Sequence, residues 1–160
     1  MVEEINEKYS LKNVTQDPLL WLKSDPVRPE LGVEFKTSPG RGVFGLRGED
    51  GGWKAFLCYA RTSKVPSNVK ELEDFTDVKG EIIIPYTVWS HEKGAGRQII
   101  KQVLWLVENA EMGIKRVVTL SPPTEMARKF HLRNSAFELR VNPQTVNFEY
   151  AVEELKELAI

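Results

Sequence analysis

A strand interrupted by proline runs into a helix entered through glycine, and this junction limits what the chain can become. EIIIPYTVWS, Glu81 to Ser90, is strongly β-prone, yet Pro85 in its middle has no N–H for a ladder. Such a residue predicts an edge position or a bulge. Ile99, Ile100, Val103, Leu104, Val107 and Ala110 then recur at helical spacing, which predicts an amphipathic helix over residues 97 to about 112. Gly113 follows where a left-handed cap is wanted. Between strand and helix lies KGAGR, Lys93 to Arg97. A helix that starts there leaves its first backbone N–H groups unpaired. Gly94 and Gly96 let another molecule approach the backbone, and Lys93, Arg97 and Lys101 add full positive charges to the helix dipole. Phosphate is the natural guest of such an entry.

Similar signals place the remaining elements. Residues 1–16 are charged and weakly patterned and read as an N-terminal arm; residues 17–160 read as a single domain. Asp17 caps, and Pro18 opens, a short helix through LLWLK that stops before Asp25-Pro26. The Pro- and Gly-rich stretch VRPELGVEFKTSPGRG is expected to loop. GVFGLRG and WKAFLCYAR form a hairpin across Glu49-Asp50-Gly51-Gly52. Residues 62–79 are expected to be a loop or a short helical turn. After the long helix come a strand in IKRVVTL and, past Pro122-Pro123, a helix in TEMARKFHLRN. Two strands, in FELRV and TVNFEYAV, then meet around Asn142-Pro143, and a charged helical tail, EELKELAI, ends the chain. This order predicts an α+β fold with a mixed sheet.

Three phosphate-binding patterns compare with the glycine turn. A dinucleotide fingerprint needs a third glycine, and Ile99 stands in its place. A P-loop needs Gly-Lys-Ser/Thr after its spacer, and none is present. The turn resembles the pyrophosphate loop of the GCN5-related N-acetyltransferases (GNAT), Arg/Gln-x-x-Gly-x-Gly/Ala. Gly94 and Gly96 match, and His91 stands where Arg or Gln is usual. A tight strand-to-helix turn with no ligand is the alternative. The order of elements resembles the same superfamily from about residue 40 to residue 150. That resemblance implies a GNAT-like mixed, mostly antiparallel sheet flanked by helices, with a splayed cleft for acyl-CoA. It implies that main-chain groups of Val88, Trp89 and Ser90 face the pantetheine and thioester. It also implies that N–H groups of Lys93, Gly94, Ala95, Gly96, Arg97 and Gln98 take the diphosphate.

The run ARKFHLRNSAF resembles the acetyltransferase pattern Ala-x-x-Leu-Tyr-x-x-x-Gly-Phe, whose tyrosine protonates the departing thiolate. Here His131 stands at the tyrosine and Ser135 at the glycine. An imidazole gives or takes a proton near neutral pH; capping a carbonyl or packing on the sheet is its alternative role. TLSP and FHLRNSA also resemble two signatures of malonyl-CoA decarboxylases, which use an acetyltransferase-like fold with a proposed catalytic serine and histidine. Ser121 and His131 match that pair, Asn134 is in place, and Ser135 replaces a glycine. The likeness covers only these two short runs. Ser121 before Pro122 is alternatively a helix N-cap. Thr124, on the same side of the helix as His131, and Asn134 join the candidate acyl-CoA contacts. Met126, Phe130 and Phe137 are expected in the core, and Cys58, within AFLCYA, as a buried thiol.

A net charge of −1 argues against a dedicated nucleic-acid binder, which is usually basic. No apolar run is long enough to span a membrane, and MVEEINEKYS lacks the apolar region of a secretory signal. With a single cysteine, a cytoplasmic setting is expected. The two histidines, His91 and His131, are too far apart in sequence for metal spacing, so no metal is expected. The resemblances imply an acyl-CoA-dependent N-acyltransferase, using acetyl-CoA or another acyl-CoA and a small-molecule or protein amine. The decarboxylase signatures imply the alternative, a malonyl-CoA decarboxylase-like or other thioester-acting enzyme. The atypical His91, His131 and Ser135 leave a third, a catalytically inactive CoA-binding module. An exposed edge strand near the C-terminus leaves a homodimer open.

Overall fold

The computed structural model describes residues 6–152. The charged tail expected to be helical, and the first residues of the expected arm, lie outside them. Seven strands form one open sheet: β1 (Ser10–Asn13), β2 (Arg41–Arg47), β3 (Trp53–Thr62), β4 (Ile82–Ser90), β5 (Arg116–Val118), β6 (Phe137–Val141) and β7 (Val146–Tyr150). Their order is β1-β2-β3-β4-β5-β7-β6. Only β4 and β5 pair in parallel; every other neighbouring pair is antiparallel. The α-helices of the described residues are α1 (Val33–Thr37), α2 (Val69–Phe75), α3 (Ala95–Asn109) and α4 (Glu125–Arg133).

Alternation along the central strands builds a core on each face of the sheet. Phe44, Leu57, Ile83 and Val117 pack under the α3 stripe of Ile99, Ile100, Val103 and Val107. Their sequence neighbours Val43, Phe56, Ile82 and Val118 pack on the other face with Trp21 and Leu72. Cys58 is buried there, and burial pushes its thiol well above the usual range, so it has no nucleophilic character.

Several expectations shift. Ser10–Asn13, expected within a loose arm, pairs with β2 as an edge strand. The stretch expected to loop contains α1, whose Lys36 is buried against Asp25 at 2.7 Å. That contact is tertiary, so no local pattern announces it. Asn68 caps α2 by accepting the Glu71 amide, extending the expected turn to a helix. The long helix starts at Ala95 and ends at Asn109, with Ala110 extended; Gly113 takes φ +72 beyond it and is not its cap.

Pro85 acts as a bulge rather than marking an edge, because β4 is central. Its register with β3 shifts between Cys58 and Tyr59, so that Cys58 faces Thr87 and Tyr59 faces Pro85, leaving Tyr86 unpaired. On the other side, β4 pairs with β5 only at Ile82 and Ile83. A last link runs from the Leu120 amide to the Pro85 carbonyl at 3.1 Å. Beyond it the chain after β5 turns to β7, with Thr119 N–H donating to Phe148 O and Ser121 exchanging both backbone bonds with Val146. The sheet thus parts in its middle.

The buried Asp25–Lys36 pair anchors the segment behind this parting. Burial alone pushes the Asp25 carboxyl up, but donors from Lys36, the Arg28 and Val27 amides and Thr87 hold it below the usual range. Lys36→Met leaves that carboxylate unpaired, and urea unfolding should register a loss of about 3–5 kcal/mol. A loss below about 1 kcal/mol would show that the pair is not shielded from water.

Candidate active site

The parting of β4 from the chain after β5 opens into a cavity of about 500 Å³. β4 supplies Thr87, Val88, Trp89 and Ser90; the turn after β5 supplies Ser121 and Pro122; α4 supplies Met126, Phe130 and His131. Gly96 and Thr124 border it at the starts of the two helices, and Pro26 and Val27 close the far side. Seven residues singled out in the sequence therefore come together: Val88, Trp89, Ser90, Gly96, Ser121, Thr124 and His131. Lys93, Gly94, Ala95, Arg97 and Gln98 adjoin Gly96 at the α3 entry without lining the cavity. Asn134 does not reach it: its side chain is buried and donates to the Phe130 carbonyl at the end of α4. Phe130 packs against the core as expected and also lines the cavity, whereas Met126 and Phe137 are exposed and do not join the core.

Among the described residues no side chain bonds the first amides of α3, while the Asn6 amide donates to Gln98 Oε1 in its first turn. Gly94 sits at φ +87, and no side chain caps the helix. Ala95 N–H donates to Glu92 O and Gln98 N–H to Gly94 O, while the Gly96 and Arg97 amides have no acceptor among the described residues. Gly96 has a separate reason to be small. A Cβ there would stand 3.1 Å from Phe130 Cε1, so α3 and α4 meet closely at this point whatever binds. His91 lies at the exposed rim, its amide donating to Lys54 O. Thr124, not Ser121, caps α4, by accepting the Ala127 amide at 3.2 Å.

Two supports fix the polar groups of the cavity, and both come from β7. His131 is buried between Phe130 and Phe148, its ring stacked on Phe148 at 5.2 Å. Its Nδ1 lies 2.7 Å from the Tyr150 hydroxyl. Burial raises the Tyr150 phenol above its ordinary range, so it keeps its proton. No other described partner exists for that proton, so it goes to Nδ1, which leaves the imidazole hydrogen on Nε2. Burial pushes the His131 pKa down to about 4, so the ring is neutral at physiological pH. It presents an N–H donor, not a ready base. Ser121 Oγ lies 2.7 Å from Thr119 Oγ1, which also accepts the Phe148 amide. The Ser121 hydroxyl donates this bond, so its hydrogen is engaged by the fully buried Thr119. Ser121 and His131 are not bonded to each other. β7 braces both, Ser121 through its backbone bonds to Val146 and His131 through Phe148 and Tyr150.

Sequence reasoning missed Tyr150, Phe148 and Thr119. Val146, Phe148 and Tyr150 alternate along TVNFEYAV and so share a face. That alternation was legible; which histidine would pack over it was not.

No family model matches the chain, and no curated protein sequence matches it. Solved structures do. A malonyl-CoA decarboxylase from Agrobacterium vitis aligns at TM-score 0.62 and 20% identity, over 83% of this chain. The chain spans only 38% of that enzyme. A GNAT-like decarboxylase, GphF, in complex with isobutyryl-CoA aligns at TM-score 0.68 and 15% identity over 90% of this chain and 100% of its own. The loading GNATL domain of CurA from Lyngbya majuscula aligns at TM-score 0.66 and 15% identity, over 90% and 98%. The chain has the GNAT fold, as the order of its elements implied.

The buried histidine has a consequence for stability. Its folded pKa of about 4 lies below the ordinary 6.5, so the unfolded chain binds the proton more readily. Its contribution is complete above pH 6.5 and is lost as pH falls toward 4, by up to about 3 kcal/mol. Stability measured by urea unfolding should fall over that window in the natural chain and less in His131→Gln. Equal slopes in the two would place the imidazole in contact with water.

Proposed function

We propose that the cleft holds the acyl-pantetheine end of an acyl-CoA and that the protein is an enzyme acting on its thioester. Main-chain groups of Val88, Trp89 and Ser90 receive the pantetheine. The α3 entry, with Lys93 and Arg97, receives the diphosphate. The reaction best supported is decarboxylation of a malonyl-type thioester. The observation that carries it is the neutral His131, turned by Tyr150 so that an N–H, not a lone pair, is offered to a cavity that no carboxylate lines.

Decarboxylation of such a substrate breaks the bond between the α-carbon and the carboxylate. Carbon dioxide leaves, and the bonding electron pair moves through the α-carbon onto the thioester oxygen, giving an enolate. Water then delivers a proton to the α-carbon, so the sum is malonyl thioester plus a proton going to acetyl thioester plus carbon dioxide. The step needs no base. It needs a donor aimed where negative charge develops, and the His131 Nε2–H meets that need; Ser121 adds a second only by turning its hydroxyl from Thr119 Oγ1 to the thioester oxygen. The apolar walls, among them Phe130, Met126 and Val27, favour loss of the carboxylate charge on the way to a neutral gas.

Transfer of the acyl group to an amine would use the same oxygen site, and the fold is shared with acetyltransferases. It must also dispose of an ammonium proton. A histidine with a pKa near 4 takes that proton poorly, and the cavity offers no carboxylate in its place.

Incubation with malonyl-CoA should release carbon dioxide and form acetyl-CoA without any amine. His131→Ala should lower kcat about 10²–10³-fold, and Tyr150→Phe should lower it less, with KM little changed in both. Because the donor does not titrate above pH 4, kcat should stay flat from about pH 5.5 to 8. Free coenzyme A appearing only when an amine is supplied would replace this reaction with acyl transfer. Binding of coenzyme A without turnover of any acyl form would leave a binding module.

A further inference from the structure

The side of the cleft away from α3 and α4 is closed by a short segment, Ser24 to Arg28, on which no sequence motif falls. It is fastened along β4 at successive points. Trp89 Nε1 donates to Ser24 Oγ at 3.1 Å, Thr87 Oγ1 to Asp25 Oδ1 at 2.8 Å, and Arg28 Nε to Tyr86 O at 3.3 Å. Arg28 Nη2 then crosses the gap to Leu120 O at 3.0 Å. Asp25 also accepts the Val27 and Arg28 amides and pairs with Lys36. Pro26 and Val27, held between these fastenings, line the cavity. Arg28 reaches Leu120, one residue before Ser121, and its chain neighbour Val27 lines the same cavity as Ser121.

We propose that Ser24–Arg28 is a fixed wall that keeps a second substrate out of the cleft and limits the size of the acyl group, with Val27 as the specificity-determining residue. This rests on the reading of the cleft as an acyl-CoA site. The wall does not open easily. Moving it would strand the Arg28 guanidinium, the Asp25 carboxylate and the Tyr86 and Leu120 carbonyls together. A cleft walled in this way admits a substrate along the α3–α4 side alone. The acyl group then ends against the apolar face of Val27, where its length and branching decide the fit. Apolar pockets discriminate by about 10- to 200-fold per methylene, which sets the scale of the effect.

The test is calorimetric binding of free coenzyme A and of acetyl-, propionyl-, butyryl- and benzoyl-CoA to the full chain, in natural form and as Val27→Ala and Val27→Phe. Thermal melting checks that each variant is folded. The readout is the affinity for each acyl form relative to coenzyme A in the same protein. Val27→Ala should improve this ratio for butyryl- and benzoyl-CoA by about tenfold or more, and Val27→Phe should move the size limit down toward acetyl. Val27→Ile, one methylene larger, gives the downward shift in smaller form should the phenylalanine variant not fold. The same size profile in all proteins overturns the wall while leaving the cleft reading intact. If the natural chain binds neither coenzyme A nor any thioester, the cleft reading fails and the wall falls with it.

Discussion

A sheet that parts in its middle exposes amide and carbonyl groups that must find partners elsewhere, and the rest of this molecule answers that demand. Pro85 brings no N–H, and the bulge at Tyr86 turns β4 away from the chain after β5. On one side, Thr119 and Ser121 take their backbone partners from β7 instead. On the other, a single guanidinium spans the gap and satisfies both Tyr86 O and Leu120 O. Arginine suits this role because its rigid fork can reach two acceptors at once and stays charged when buried. The cleft is therefore braced from both faces, and its shape does not depend on a ligand to hold it open.

β7 does more than fill the gap. Its residues Val146, Phe148 and Tyr150 share one face, and each supports part of the candidate site. Val146 holds the Ser121 backbone, Phe148 stacks on the imidazole and bonds Thr119, and Tyr150 sets the imidazole tautomer. Because one rigid strand braces both residues, their separation is fixed by the pleat and not by two independent loops. A loop-mounted serine and histidine would need a direct bond to keep their register. Here that bond is absent: the Ser121 hydroxyl donates to Thr119 Oγ1, and His131 Nδ1 meets the Tyr150 hydroxyl.

Much of this was legible in the sequence. The glycine entry, the long helix and the disturbed strand follow from local rules: unpaired amides, a periodic apolar stripe and a proline without N–H. Short elements were not legible. β1 and α1 exist because of distant partners, Leu46 for Leu11 and Asp25 for Lys36. Ser121 and His131 were picked out by motif resemblance, and the structure places both in one cavity. Their supports could not be found that way, since Tyr150 lies on β7 and Thr119 just past β5, and neither carries a signature. Gly96 shows the opposite hazard. A glycine suited to a phosphate is also the glycine that Phe130 requires.

Ordinary folding rules are relaxed around the cleft. Ser135 takes φ 78, in the left-handed region that disfavours residues with a Cβ by roughly 1–2 kcal/mol. It closes the turn after α4, where the Ala136 amide donates to His131 O and the Asn134 amide to Phe130 O and His131 O. The strained turn thus fixes the backbone of the histidine whose ring Tyr150 orients. The same holds for burial. A neutral histidine, an aspartate–lysine pair and a desolvated arginine each oppose folding unless fully partnered. His131 lies in the cavity wall, Asp25 and Arg28 are each one residue from it in the chain, and Lys36 joins them through Asp25. A core of apolar residues would have been easier to stabilise, but it would give a solid sheet. Only charged and hydrogen-bonding side chains can both hold two strands apart and leave a donor pointing into the space between them.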